Sequence, residues 1–134
     1  MALQWDESLV FGHDEIDNQH RSIFDYFHKL SVVISQGMSK DLVGEMANFL
    51  FDYSHEHFEA EENIMIKYGY PQLEAQRQEH YKFMIDTGKI KKQVEEEGVS
   101  REIAIKACSK LFRWYFQHIK QHDKKMIQYV KEHM

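Results

Sequence analysis

Apolar residues recur at helical spacing along four stretches of the chain, divided by short polar or glycine-containing breaks. The first stretch carries Ile16, Ile23, Phe24, Phe27, Leu30 and Ile34, the stripe of an amphipathic helix with one face turned to a core. Asp17 or Asn18 can cap its start, and Gln36-Gly37 stops it, which predicts a helix over about 17–36. The second stretch runs from about 40 to 68, with Ser39 as its cap and Met46, Leu50, Tyr53, Ile64 and Tyr68 along one face. Gly69-Tyr70-Pro71 is the clearest break: Gly69 supplies a helix stop and Pro71 opens the next helix, about 71–96. Its inward stripe reads Leu73, Gln76, His80, Phe83, Thr87, Ile90 and Val94. After Glu97-Gly98-Val99, Ser100 caps a fourth helix, about 100–131, with Ile103, Ala107, Leu111, Trp114, Tyr115, His118, Ile119, Met126, Ile127 and Val130 on its stripe.

Residues 1–15 do not share this period. Trp5, Leu9, Val10 and Phe11 are apolar without helical spacing and predict an extended strap over one end of the fold, broken at Gly12. Four long amphipathic helices with short connections predict an all-α fold, an antiparallel up-down-up-down four-helix bundle with an irregular N-terminal arm. At 134 residues the chain is the size of one domain.

The polar residues on these apolar faces change the picture. His57 and Glu61, four apart, are rotated by only about 40° on a helix and share the inward face of the second stretch. His20 is in phase with the first stripe, His80 and Gln76 with the third, His118 with the fourth. Inward histidines and a glutamate are costly unless compensated, and a bound metal is the simplest compensation. Imidazole and carboxylate together suit iron, zinc or manganese, and bridging carboxylates suit a pair of ions. His28 falls off the first stripe and belongs at its boundary or in solvent. His55 and Glu59 make an equally well-spaced pair, but with Asp52 and Glu62 beside it that face is solvated.

The fourth helix is ambiguous. His118 and His122, four apart, are the geometrically simple pair. Asp123 is five from His118, about 140° around an ideal helix, and reaches the same centre only across a wide site or through a local loosening such as a π-bulge. Yet Asp123 is in phase with Ile119, Met126 and Val130, whereas His122 has Gln121 and Lys125 about it.

Charge and composition exclude rather than select. A formal net charge of −5 gives neither nucleic acid nor an anionic membrane surface an obvious handle. No apolar run approaches a bilayer span, and Met1 to Glu7 lacks the apolar core of a signal peptide, so a cytoplasmic protein is expected; a monomer is the expected state. The single cysteine, Cys108, falls among apolar neighbours and reads as a buried small residue. A zinc hydrolase is not supported, because His55-Glu56-His57-Phe58-Glu59 ends in glutamate where His-Glu-X-X-His needs histidine. Paired Glu-X-X-His elements of ferritin-like oxidases are absent, as is a haem-attaching Cys-X-X-Cys-His.

Taken together, Trp5-Asp6, Ile16-Asp17-Asn18-Gln19-His20, His57-Phe58-X-X-Glu61-Glu62, Gly69-Tyr70-Pro71, Glu79-His80-X-X-Phe83 and His118-Ile119-X-X-X-Asp123 resemble the bacterial hemerythrins over nearly the whole chain. The resemblance implies a four-helix bundle holding two non-haem iron ions. Glu61 and Asp123 would bridge them, together with an oxo or hydroxo group. His20 and His57 would hold the iron that takes dioxygen as a hydroperoxide; His80 and His118 would hold the other. It selects Asp123 over His122. Phe24, Phe58, Trp114, Tyr115 and Ile119 would line the oxygen pocket. The implied function is oxygen carriage, storage or scavenging without enzymatic turnover, a weak peroxidase-like activity aside.

Two positions depart from the pattern. Gln76 stands where the family usually places a further histidine ligand, four residues before His80. Its amide oxygen can serve as a weak ligand, or the amide can hold a water there; Glu79 points off the inward face. The departure opens a second reading, a module that senses oxygen, redox state or nitric oxide, or that handles peroxide. Tyr115 stands where leucine is more usual near the oxygen pocket. Its hydroxyl either donates to a bound anion or simply reaches the surface.

Overall fold

The structure is a computed structural model and describes residue 5 and residues 7–37, 40–95 and 101–134. It contains α1 (Asp14–Ser35), α2 (Lys40–Tyr68), α3 (Leu73–Glu95), α4 (Arg101–His118), a π-helical turn (Ile119–Asp123) and α5 (Lys124–His133). The fourth stretch of the sequence is thus one rod with a wide turn inside it. Helix α1 packs on α2 and α4, and α3 on the same two, while α5 rests on α2; this is an all-α four-helix bundle. Asp6, the expected caps Ser39 and Ser100, the turn at 97–100, the end of the third helix at 96 and the side chain of Val94 lie outside the described residues.

Two local signals resolve differently from expectation. Helix α1 starts at Asp14, capped by His13, whose ring accepts from the Ile16 amide at 3.4 Å. Asp17 therefore sits inside the first turn, where its buried carboxylate accepts the amides of Phe11 and Gly12 at 3.0 Å each. Gly12 has φ +87°, a left-handed turn open to glycine, and it lets both amides face that carboxylate. Pro71 precedes α3 rather than opening it: Pro71 and Gln72 form a turn after Gly69 (φ +65°), and the Tyr70 amide closes back on the Met65 carbonyl at 2.9 Å.

The arm is not an extended strap over one end. Glu7–Leu9 forms a 3-10 turn, Leu9 is fully buried in the main core, and Trp5 lies edge-on to Phe24 at 5.3 Å. Phe11 meets His20 at 6.4 Å, so the arm runs along the flank of α1 beside the polar layer. Val10 is 38% exposed and Ile103 54% exposed, so neither belongs to the core that its spacing indicated. On α2 the buried line is Val43, Ala47, Leu50, Ser54, His57, Phe58, Glu61 and Met65; Met46, Tyr53, Ile64 and Tyr68 are half-buried at its edge.

The interior has two apolar layers. The larger contains Ile23, Phe24, Phe27, Leu50, Phe58, Phe83, Phe112, Tyr115 and Ile119; the smaller contains Ile16, Met65, Met126, Ile127 and Val130. His20 lies between Ile16 and Ile23, Glu61 between Phe58 and Met65, and Asp123 between Ile119 and Met126 in the chain. The polar side chains therefore form a plane between two cores, out of reach of water. Among the described residues no helix is long and apolar enough to cross a membrane.

Candidate metal centre

Each helix delivers its polar side chains to this plane by its own phase. His20, His57, Glu61, Gln76, His80, His118 and Asp123 are all buried. They form two groups. In one, donor atoms of His20, His57, Glu61 and Asp123 lie within 4.8 Å of one another; in the other, so do those of His80, His118 and Asp123. Asp123 is common to both: Oδ2 faces His20 Nε2 at 3.1 Å and Oδ1 faces His118 Nε2 at 3.2 Å. Glu61 Oε1 touches His57 Nε2 and stands 3.7 Å from His20 Nε2.

The π turn is what brings Asp123 to the plane. The Lys124 amide bonds to the Ile119 carbonyl, five residues back, so the rod is underwound between His118 and Asp123. The 140° offset of an ideal helix is absorbed. His122, the geometric alternative, stays half-buried outside, its ring stacked on His118 at 5.2 Å.

The atoms of this plane fit a cation. Both ring nitrogens of His20 and of His118, His57 Nε2, His80 Nε2, both Glu61 oxygens, Asp123 Oδ2 and Gln76 Oε1 are buried and make no directed hydrogen bond among the described residues. Left without a partner, each such atom costs roughly 1–3 kcal/mol, and a cation held between them removes that cost. The field points the same way. Burial opposes charge on His20, yet Asp123 and Glu61 raise its pKa to about 9. Burial likewise opposes charge on Asp123, but His118 and His20 hold its carboxyl well below the usual range. The pocket attracts positive charge.

The Hemerythrin HHE cation binding domain family matches residues 12–130. The chain belongs to the hemerythrin family. It is 32% identical over 133 residues to the bacteriohemerythrin of Stenotrophomonas maltophilia, covering 98% of this chain and 84% of that one. Over 86 residues it is 35% identical to the bacteriohemerythrin of Methylococcus capsulatus, covering 63% of this chain and 65% of the other. Among solved structures, a leucine-to-tyrosine variant of a hemerythrin superposes with a TM-score of 0.82 at 29% identity, covering 97% of this chain and 98% of that one. A wild-type hemerythrin gives 0.81 at 27%, covering 95% and 96%.

This hemerythrin centre has an outer layer that the helical period did not reveal. His57 Nδ1 donates to Gln19 Oε1 at 2.6 Å, and His80 Nδ1 donates to Glu62 Oε2 at 3.0 Å; Arg77 holds the other Glu62 oxygen at 3.2 Å. A ring that donates through Nδ1 keeps its Nε2 lone pair for the centre. These partners are half-buried, and half-buried charges carry no periodic signal. Their one sequence clue was position, each beside or near an inward ligand.

Gln76 keeps its amide oxygen, buried and without a hydrogen bond among the described residues, on the side of the centre. Its Nε2 donates to Asp123 Oδ1 at 3.1 Å, so it steadies the shared carboxylate. Tyr115 is fully buried and its hydroxyl, without a partner among the described residues, does not reach the surface. Its ring is 6.2 Å from His20 and 5.2 Å from Phe83. Burial, then the charges of Glu61 and Asp123, push its pKa well above the ordinary value. Phe24 and Phe58 pack on the same ring, and Ile119 is fully buried in the same layer. Trp114 is stacked on His118 at 5.1 Å and packs on Phe83 at 5.2 Å. Phe58 also stacks on His80, at 4.0 Å.

Proposed function

We propose that this chain is a non-haem di-iron dioxygen-binding protein, an oxygen carrier, store or scavenger. Asp123 carries the reading, because one buried carboxylate turns its two oxygens to two separate histidine groups. A carboxylate so placed suits a pair of ions. In this reading His20 and His57 would hold one iron and His80 and His118 the other, with Glu61 joining Asp123 as a carboxylate that would serve the pair. Paired ferrous ions, when bound, supply the electrons that dioxygen accepts.

The chain's own contribution is to position and to exclude. Gln19 and Glu62 fix two of the rings. Phe24, Phe58 and Ile119 keep water from the His20–His57 side, which slows loss of a bound ligand. The Tyr115 hydroxyl is a donor for a small anionic ligand there. Binding rather than turnover is the supported activity. A cytoplasmic monomer of one domain, with dioxygen and not nucleic acid or membrane as partner, belongs to the same proposal.

The test is anaerobic loading with ferrous iron, metal counting, and visible spectra before and after air. Two irons per chain and a band that appears with oxygen and fades on its removal support carriage. One iron, or an irreversible change, sinks it. The second reading, sensing or the handling of peroxide or nitric oxide, is favoured by Gln76, which leaves the His80–His118 side with one imidazole fewer. Under it Gln76→His slows autoxidation of the loaded protein; an unchanged rate removes the reason to prefer it.

A further inference from the structure

The outer nitrogens of the four histidines differ. Those of His57 and His80 are engaged, by Gln19 and Glu62. That of His20 has no partner among the described residues, and its ring lies edge-on to Phe11 and Tyr115. That of His118 is also buried and without a hydrogen bond, but it faces other donor atoms. Glu79 Oε2 is 4.0 Å from His118 Nδ1, and Glu79 Oε1 is 4.0 Å from His122 Nε2. Donor atoms of these three residues lie within 4.8 Å of one another. A gap of 4.0 Å is too wide for a hydrogen bond. Two ligands on one ion stand about 3 to 4 Å apart when each bond is about 2.1 Å. The side chains of Glu79 and His122 are 34% and 39% exposed while that of His118 is 1% exposed, so the cluster spans from solvent to the wall of the centre.

We propose that Glu79, His122 and the Nδ1 of His118 form an outer, transient site for a divalent cation, through which an ion reaches the His80–His118 side. The inference rests on the di-iron reading. A neutral imidazole has one lone pair. When the proton is on His118 Nε2, 3.2 Å from Asp123 Oδ1, the lone pair is on Nδ1, 4.0 Å from Glu79 Oε2. For an ion inside, the lone pair must be on Nε2; the ring then releases the Nε2 proton to water and takes one from water at Nδ1, on the Glu79 side. The ring's charge is unchanged, and it serves the outer and inner positions in turn. Lys120, Lys124 and Lys125 beside His122 keep the outer site weak, which suits release. Another opening toward the centre, a groove of about 580 Å³ between α2 and α3, reaches His80. There the Arg77 guanidinium and Glu62 already close the ring's outer nitrogen.

Metal-free protein mixed with cobalt(II) in a stopped-flow instrument reports uptake through the visible absorption of the bound ion, and metal analysis gives the endpoint. Wild type is expected to take two ions per chain. His122→Ala is expected to reach the same endpoint roughly tenfold more slowly, with His122→Gln as a companion that preserves bulk. The His122 ring also stacks on His118 at 5.2 Å, so His122→Phe, which keeps a stacked ring without a ligand nitrogen, is expected to show the same delay. Uptake at the wild-type rate in His122→Phe, or in both other variants, overturns the inference and leaves the di-iron reading standing. A wild-type chain that takes up no cobalt overturns both.

Discussion

At the scale of single residues, the site is decided by where lone pairs and hydroxyls point. Tyr115 is the sharpest case. Its buried, unpartnered hydroxyl costs roughly 1–3 kcal/mol in the metal-free chain, so Tyr115→Phe is expected to raise the metal-free protein's stability by about that amount in urea melts. In the iron-loaded, oxidised protein the same change removes a donor, and azide affinity is expected to fall roughly tenfold, the worth of one hydrogen bond to an anion. Azide binding that does not change would show that the hydroxyl misses the ligand. Cys108 gives a second prediction, away from the centre. Burial pushes its thiol from 9.0 up to about 12. Between those values the unfolded chain has lost the proton that the folded chain keeps, so stability falls as pH rises. The expected loss is about 1.4 kcal/mol per pH unit above 9, read as the difference in urea midpoints between wild type and Cys108→Ala from pH 9 to 10.5. No difference in slope would place the thiol in contact with water. Residue identity was legible for the inward histidines and Glu61, because a 3.6-residue period assigns a face. It was not legible for Gln19, Glu62 or Asp17, whose roles depend on which neighbour their polar ends meet.

At the scale of elements, the π turn is the feature that reconciles spacing with geometry. Five residues separate His118 from Asp123, yet both face one plane because the rod is underwound across Ile119–Asp123. Removing one solvent-facing residue of that turn, Gln121, would make the separation four, one ordinary helical turn. The variant is therefore expected to fold, to keep the wild-type metal content and to lose the wide turn, with thermal stability equal to or above wild type. Loss of metal at unchanged helicity would mean that the wide turn itself shapes the Asp123 carboxylate. The period of apolar residues outlined four helical stretches, but it misjudged their edges. Pro71 ended in a turn because Gly69 and Tyr70 close α2 by backbone bonds first, and His13 took the capping position expected of Asp17 because that carboxylate holds the arm. The arm itself carried no period, so only packing could lay it along α1.

At the scale of the whole molecule, folding and cation binding are coupled. A polar plane lies between two apolar layers, and many of its atoms make no hydrogen bond among the described residues. An ion that binds only the folded chain stabilises it by about 4 kcal/mol at a thousandfold excess over Kd. Stripping metal with a chelator is expected to lower the melting temperature by at least several degrees and to broaden the transition, with recovery on adding iron; an equal melting temperature would mean that the plane pairs its own charges. The sequence by itself determined the helical class, the faces, and which imidazoles and carboxylates look inward, because a helix's period converts spacing directly into direction. Only the tertiary structure decided that Asp123 is shared by two groups, that Gln76 serves that carboxylate, that Trp114 stacks on His118, and that Tyr115 keeps its hydroxyl inside. Direction around one helix axis says nothing of how far each helix is turned against its neighbours, and those contacts between helices set every distance in the centre.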